Sequence, residues 1–143
     1  MMKALFAALF LLFALSGPVC AETTIVFATD ATWPPMEFVN DQKQLVGYSI
    51  DFMTAAGKEA GFTPVFKNTA WDGIFAGLAA NKYDAIVSSV SITEERKKAM
   101  DFSEPYYTVR QALIVPKAST AKSLADLKDQ KVGGQIGTTG FFA

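Results

Sequence analysis

Hydroxyl side chains and one arginine stand close together in the middle of the chain. Ser89, Ser91 and Thr93 alternate with apolar residues, and Arg96 follows a few positions later. A guanidinium offers paired N–H donors that match the two oxygens of a carboxylate, and hydroxyl or backbone groups can complete the shell. This spacing predicts an anion site in which Arg96 binds a ligand carboxylate and Ser91 assists it.

The flanking residues place this stretch between a strand and a helix. Residues 83–87 form an apolar, β-rich run that predicts a buried strand, and residues 94–100 predict a helix. In open α/β sheets, ligands bind at the carboxyl ends of strands, where the N–H groups of helix starts point outward. Residues 89–93 are therefore expected to be a strand-to-helix loop at a binding edge.

A structural interpretation of the same residues needs no ligand. Ser91 or Thr93 caps the helix, with Ser91 and Glu94 forming a capping box. Arg96 is then one of the solvated cations of residues 96–98. Spacing alone favours this interpretation.

An aromatic side chain is predicted beside the first strand. Residues 24–28 are β-branched and apolar, and the tandem prolines after Trp33 hold the following loop extended. In the functional interpretation, Trp33 forms a wall for a ligand side chain and Asp30 binds its polar end. In the alternative, Trp33 packs under the loop and Asp30 makes a turn hydrogen bond.

A second aromatic follows the next predicted strand. Residues 63–67 predict that strand, and residues 68–73 lead into a helix that carries Ile74, Phe75 and Leu78. Trp71 lies at this junction, and a tryptophan buried against the helix is the commoner case.

The other predicted elements are scaffold. Residues 40–44 predict a hairpin turn, and Ser49 is expected to cap a helix that Gly61 ends. Further on, residues 111–115 and 131–136 predict strands and residues 123–127 a short capped helix.

Composition limits the chemistry that is available. The chain has 13 basic and 14 acidic residues and no basic stripe, which argues against nucleic acid as a partner. It has no histidine and one cysteine, so the usual general base and zinc ligand are missing. We expect no catalytic residue, no metal and no cofactor.

The first 21 residues are typical of a secretory signal peptide. Lys3 precedes an apolar run that is too short for a membrane anchor, and small residues favour cleavage after Ala21. Lipid anchoring at Cys20 is disfavoured, because the residues before it do not match the lipoprotein pattern.

Three sequence blocks, in order, carry a family resemblance. They are ATDATWPPMEF at 28–38, GYSIDF at 47–52, and SITEERKKAMDFSEPYY at 91–107. Together they resemble the periplasmic amino-acid-binding proteins of ABC importers, the bacterial extracellular solute-binding proteins of family 3. The resemblance covers essentially everything after the leader.

The resemblance implies an α/β, periplasmic-binding-protein-like fold with two lobes. Residues 22–110 would be most of lobe 1, and residues 111–143 a hinge strand and the start of lobe 2. Family members run on well beyond this length, so we expect a fragment or a truncated reading frame.

The resemblance also assigns roles around the α-carbon of a bound amino acid. The Ser89 carbonyl would accept from the ligand amine, and the Ser91 hydroxyl and Arg96 would bind its carboxylate. Thr139 would donate to the same carboxylate from the second lobe. A glycine-rich turn with no further role is the alternative for Thr139.

Around the ligand side chain, the resemblance implies stacking of Trp33 and Trp71 on the stem and contact of Asp30 with the distal polar group. Two aromatics flanking a stem suit a cationic side chain, since each cation–π contact contributes roughly 0.5 to 2 kcal/mol. Arginine, lysine or ornithine therefore lead, with glutamine or histidine behind.

The implied function is an extracytoplasmic receptor that delivers an amino acid to an ABC permease through ligand-induced lobe closure. We expect a monomeric, periplasmic binder and no enzyme activity. One alternative is a cyclohexadienyl or arogenate dehydratase on the same fold, with Asp30 or Glu37 as the acid. Another is the ligand-sensing domain of a signalling protein.

Overall fold

The computed structural model describes residues 23–142 and divides them into two compact units. The N-terminal unit comprises residues 23–89, and the C-terminal unit comprises residues 90–142. The predicted signal peptide lies outside the described residues. In residues 23–142, no helix has the length and apolar character needed to cross a membrane.

A parallel three-stranded sheet forms the centre of the N-terminal unit. Its strands are β1 (Thr23–Thr29), β5 (Phe62–Asn68) and β6 (Ala85–Ile86), in the order β5-β1-β6. β1 pairs with β5 along its whole length, from Thr23 opposite Phe62 to Thr29 opposite Asn68. The predicted strands at 24–28 and 63–67 are confirmed, whereas the strand predicted at 83–87 is reduced to two residues.

A small antiparallel sheet follows β1. It contains β2 (Thr32–Trp33), β3 (Glu37–Val39) and β4 (Leu45–Val46). β3 pairs with both neighbours, and the turn between β3 and β4 is closed by an Asn40 N–H to Gln44 carbonyl hydrogen bond of 2.9 Å. The predicted turn at 40–44 is therefore confirmed.

Helix α1 (Tyr48–Ala60) starts two residues earlier than a cap at Ser49 predicts. Its N-cap is Gly47, so the prediction that Ser49 caps the helix is wrong. The Tyr48 and Ser49 N–H groups donate to the Pro35 and Met36 carbonyls, at 3.1 and 2.9 Å. Backbone acceptors thus satisfy helix-start donors that a side-chain cap would otherwise bind. Gly61 ends the helix in the left-handed conformation, as predicted.

The core of the N-terminal unit lies between the parallel sheet and its helices. Its fully or nearly buried apolar side chains include Phe27 and Ala28 of β1, Val87 after β6, and Ile74 of α2 (Ile74–Ala79). Burying these side chains contributes most of the stabilising free energy, about 25 cal/mol for each Å² of apolar surface removed from water.

The C-terminal unit contains α3 (Glu94–Lys97) and a 3-10 helix (Leu124–Leu127). Ser123 and Asp126 form a capping box at the 3-10 helix, as the predicted short capped helix requires. The strands predicted at 111–115 and 131–136 are wrong, since both runs are irregular. A strand needs a hydrogen-bonded neighbour, and neither run has one within residues 90–142. Their side chains accordingly stay exposed, with Ile114 at 92% and Ile136 at 70%.

Replacing Gly47 with alanine should destabilise the protein strongly. Gly47 has φ of 128°, and a Cβ there would lie 2.3 Å from the Met36 carbonyl oxygen. Gly61→Ala is the matched control at the other end of the helix, because Gly61 has φ of 77° but open space around its Cβ position. In urea denaturation, Gly61→Ala should lose about 1 to 2 kcal/mol from backbone strain alone, and Gly47→Ala should lose clearly more. Equal losses would contradict the close approach at Gly47.

Candidate functional site

Three loops meet at the carboxyl end of the parallel sheet in the N-terminal unit. They follow β1, β5 and β6, and hydrogen bonds tie them together. The buried Ser88 hydroxyl accepts from the Asp30 N–H at 2.8 Å, and Asn68 Oδ1 accepts from the Ala31 N–H at 3.3 Å. The Thr69 N–H also donates to the Thr29 carbonyl at 2.9 Å. These bonds hold together the edge of the sheet at which the sequence predicts four ligand-binding residues, Asp30, Trp33, Trp71 and Ser89.

Asp30 makes the turn contact that its structural interpretation requires. Its Oδ1 accepts from the Thr32 hydroxyl at 2.9 Å, and the residue is buried. This bond orients one carboxyl oxygen toward the β1–β2 turn. The predicted contact of Asp30 with a ligand stays a prediction.

The two tryptophans differ in exposure. Trp33, in β2, is 38% exposed and offers part of its indole to solvent. Trp71 is 7% exposed and packs edge-on against Phe75, with ring centroids 5.2 Å apart. Trp71 therefore has the packing role that was the commoner expectation, and Trp33 is the more accessible surface for stacking.

Ser89 has a backbone conformation that is uncommon for a residue with a side chain. Its φ is 47°, in the left-handed region, which costs about 1 to 2 kcal/mol outside glycine. Its Oγ is buried and has no hydrogen-bond partner among the described residues. Such strain persists only where the surroundings hold it, and it is concentrated at binding sites.

Glu37 is a buried carboxyl at the same edge, which the sequence analysis named only as a possible acid of the dehydratase alternative. It is fully buried, and neither carboxyl oxygen makes a hydrogen bond of ordinary geometry within the described chain. Burial raises the pKa of Glu37 above its ordinary value, the nearby Ser49 and Ser89 hydroxyls lower it in part, and Asp30 raises it further. Glu37 follows Trp33 and the two prolines closely in the sequence. Nothing in that pattern distinguishes a buried carboxyl from an exposed acid of a β-hairpin.

In the C-terminal unit, Arg96 binds two backbone carbonyls. Nη1 donates to the Ser91 oxygen at 2.8 Å, and Nη2 donates to the Gly137 oxygen at 2.9 Å. The guanidinium is partly buried, which lowers the pKa of Arg96, although an arginine stays charged in proteins. The prediction of a purely solvated cation is therefore wrong.

The structure brings Ser91, Arg96 and Thr139 together within this unit. The Ser91 and Thr139 hydroxyls lie 3.2 Å apart, and the Gln111 amide donates to Thr139 Oγ1 at 2.9 Å. Gln111 was missed by the sequence analysis, because it lay in a predicted strand. Its contact joins segments distant in sequence, which spacing cannot show.

Thr93 provides the cap of α3. Its Oγ1 accepts from the Arg96 N–H at 3.2 Å, so the alternative in which Ser91 caps the helix is wrong. Lys97 and Lys98 pair with Glu94 and Glu95 on the exposed face, as solvated cations do. Ser91 therefore does not cap α3.

Across residues 23–142, no cluster of histidine, cysteine, aspartate and glutamate could hold a metal ion. The polar side chains named above offer hydroxyls, amides, carboxyls and the Arg96 guanidinium. This set can bind a small zwitterion through hydrogen bonds and charge.

The comparisons with known proteins agree on one family. Residues 25–132 match the model of the bacterial extracellular solute-binding proteins, family 3. The chain is 38% identical over 119 residues to the ABC transporter arginine-binding protein 1 of Escherichia coli K12, covering 83% of this chain and 49% of that protein. It is 36% identical over 117 residues to the L-cystine-binding protein TcyJ of the same strain, covering 80% of this chain and 44% of that protein. The chain therefore spans about half the length of the curated relatives it matches.

A solved structure has a similar fold. An ancestral arginine-binding protein bound to glutamine matches with a TM-score of 0.80 and 42% identity, over 85% of this chain and 54% of the other. At 42% identity, the two proteins are similar in sequence as well as in fold. Both Escherichia coli relatives are binding proteins by name.

The burial of Glu37 should make stability depend on pH in a specific direction. A carboxyl whose pKa is raised by folding binds its proton more tightly in the native state, so the free energy of unfolding falls as pH rises above 4.5 and through the raised pKa. Glu37→Gln removes this penalty. Urea denaturation from about pH 5 to 8 should therefore show the variant gaining stability over the wild type as pH rises.

The matched control is Glu59→Gln, which changes an exposed acid of α1. Its difference from the wild type should stay small over the same range. A wild type that gains stability over Glu37→Gln on raising the pH would contradict a Glu37 pKa that burial raises.

Proposed function

Because the chain belongs to the bacterial extracellular solute-binding proteins of family 3, we propose that it forms the ligand-binding part of a receptor for a polar amino acid. The receptor delivers its ligand to an ABC importer in the periplasm, after export directed by residues 1–21. A basic amino acid is the favoured ligand, with arginine, lysine and ornithine ahead of glutamine and histidine. The names of the similar proteins, which include arginine, cystine and glutamine, support a polar amino acid.

The constellation of Arg96, Ser91 and Thr139 is the observation that carries this proposal. Two guanidinium nitrogens already bond to two carbonyl oxygens, those of Ser91 and Gly137. A carboxylate presents the same pair of acceptors with a full negative charge, and charge-assisted hydrogen bonds are about twice as strong as neutral ones. The ligand carboxylate would thus replace the carbonyls at Arg96, with the two hydroxyls beside it.

The ligand side chain is assigned to the edge of the parallel sheet. Trp33 has the exposed indole face that stacking on a stem or a guanidinium requires, and Trp71 supplies the buried wall beside Phe75. Asp30 is proposed to bind the distal cation. A carboxyl and an aromatic face together favour a cationic side chain over a neutral one.

The ligand ammonium is assigned to the carbonyl of Ser89. The left-handed backbone of Ser89 sets the direction of that carbonyl differently from the extended backbone that would follow a strand. A backbone carbonyl in the loop after β6 is a suitable acceptor for a charged N–H donor. The residue also adjoins Ser88, which holds the Asp30 loop in place.

The lobe division is proposed on the family resemblance. Residues 22–110 would belong to lobe 1, and residues 111–143 to the hinge strand and the beginning of lobe 2. The receptor would act as a monomer and as a binder, with closure driven by the difference in ligand affinity between open and closed forms.

A ligand cycle tests the carboxylate assignment. Calorimetry would compare L-arginine with agmatine, which is arginine without its carboxylate, on the wild type and on Arg96→Ala. For L-arginine, Arg96→Ala should cost roughly 2 to 5 kcal/mol, at least about 25-fold in Kd. Agmatine should bind both proteins with the same weak affinity, because it has no group for Arg96.

Lys97→Ala is the control for loss of a nearby positive charge, since Lys97 pairs with Glu94 on the exposed face. It should bind L-arginine like the wild type. Unchanged L-arginine affinity in Arg96→Ala, or an equal loss for both ligands, would refute the assignment of Arg96 to the carboxylate.

A further inference from the structure

A glutamine that is not among the proposed ligand contacts bonds to a residue that is. Gln111 Nε2 donates to Thr139 Oγ1 at 2.9 Å, and the Ser91 hydroxyl lies 3.2 Å from the same oxygen. Gln111 belongs to the exposed, irregular run at 111–115, so no strand or helix sets the direction of its side chain. The contact with Thr139 is therefore made by the two side chains themselves.

Other bonds hold the backbone of the turn that carries Thr139. Arg96 Nη2 donates to the Gly137 carbonyl at 2.9 Å. The Thr138 hydroxyl donates to the Gln135 carbonyl at 2.7 Å, and the Thr138 N–H donates to the same oxygen at 3.2 Å. These bonds fix the main chain beside Thr139 and leave the direction of its hydroxyl to its side-chain neighbours.

The direction of the hydroxyl proton matters for a carboxylate ligand. A threonine hydroxyl has one proton to donate and two lone pairs that accept, whereas a carboxylate only accepts. Because the Gln111 amide donates to Thr139, it uses a lone pair and leaves the proton available. An acceptor in the place of the amide would instead compete with the ligand for that proton. The amide thus keeps Thr139 in the donor role that a carboxylate requires.

The residue after Thr139 leaves room for this amide. A Cβ at Gly140 would lie 2.7 Å from Gln111 Oε1, which is far shorter than an ordinary contact between non-bonded atoms. Gly140 is outside the left-handed region, so its backbone conformation does not require glycine. A side chain at Gly140 would therefore displace the flexible end of Gln111 without straining the turn.

We propose that Gln111 is a positioning residue for the ligand carboxylate: its amide orients the Thr139 hydroxyl as a donor to that carboxylate. This inference rests on the proposed function, because Thr139 is a ligand contact only there. Gln111 itself touches no ligand atom and acts through Thr139. Its bond is exposed, so the effect on affinity is that of a single neutral hydrogen bond.

The first test compares two ligands on the full chain. Calorimetry would measure L-arginine and agmatine, which lacks the carboxylate, on the wild type and on Gln111→Met. Methionine has a similar length and no N–H donor. The Kd for L-arginine should rise about threefold to tenfold, as expected for the loss of one hydrogen bond. The Kd for agmatine should not change, because agmatine has no group for Thr139 to bind.

A double-mutant cycle with Thr139→Val shows whether Gln111 acts through Thr139. Valine keeps the branched shape of threonine and removes the hydroxyl. In the Thr139→Val background, Gln111→Met should leave the Kd for L-arginine unchanged, because the partner of the amide is already missing. A merely structural role of Gln111 would weaken binding equally in both backgrounds.

Gly140→Ala is the second variant, so the test does not depend on Gln111→Met folding. It should displace the amide and give the same selective loss for L-arginine. Gly133→Ala is its matched control, because Gly133 has open space at its Cβ position and is also outside the left-handed region. Gln130→Met is the control for the side-chain exchange at another exposed glutamine. Both controls should bind both ligands like the wild type.

Three results would each overturn the positioning role. They are unchanged L-arginine affinity in both Gln111→Met and Gly140→Ala, equal weakening of both ligands, and a full effect of Gln111→Met in the Thr139→Val background. If Arg96→Ala still weakens L-arginine and not agmatine in that case, the proposed function stands and only the inference falls. A wild type that binds no L-arginine overturns both.

Discussion

The parallel pairing of β1 with a strand on each side is the constraint on which the N-terminal unit depends. Because β5, β1 and β6 run in the same direction, all three carboxyl ends lie at one edge of the sheet. Loops distant in the sequence therefore begin side by side. The Ser88 hydroxyl and the Asn68 amide oxygen then bond the β1 loop to the loops on either side. Every residue assigned to the ligand side chain or ammonium belongs to this edge.

That edge is built from polar groups that the sheet alone would not favour. Thr29, Asp30, Glu37, Ser49 and Ser88 are buried around it, whereas the apolar core lies beneath the strands. Burial of polar groups lowers stability unless each finds a partner, and Thr29 Oγ1, Ser89 Oγ and the Glu37 oxygens have none in the described residues. Such a concentration of unmet hydrogen-bonding capacity is typical of a site that trades stability for preorganised contacts.

The C-terminal unit shows the same principle with a cation. Its guanidinium is held by carbonyls of two segments, the α3 approach at Ser91 and the glycine-rich turn at Gly137. These bonds keep Arg96 in a fixed orientation. A carboxylate that replaced these carbonyls would exchange neutral acceptors for charged ones at the same two nitrogens.

The sequence predicted the elements whose signals are local. β1, β5, the 40–44 turn and the Gly61 end of α1 follow from apolar runs, turn residues and a glycine at a helix end, and the structure confirms them. Residues 111–115 and 131–136 have the same strand-like composition, but strands also need partners, which composition does not reveal. The start of α1 was placed wrongly at Ser49 because backbone carbonyls, and not a side chain, satisfy its first donors.

The candidate site was predictable in its residue types and not in its contacts. Motif resemblance brought Ser91, Arg96 and Thr139 onto one list, and the structure brings them together. The carbonyl partners of Arg96, the Gln111 contact and the burial of Glu37 all arise between segments far apart in sequence. No periodicity or spacing rule reports such contacts, so they had to come from the fold.

The central claim is that the carboxyl edge of the parallel sheet binds the side chain of an amino acid. The chain has two tryptophans and therefore two indole N–H resonances. The Trp33→Phe variant lacks the Trp33 resonance and so identifies both. Titration with L-arginine, followed by two-dimensional NMR, should shift the Trp33 indole resonance saturably, with the same Kd as calorimetry. Heat of binding without a shift of either indole resonance would contradict the account.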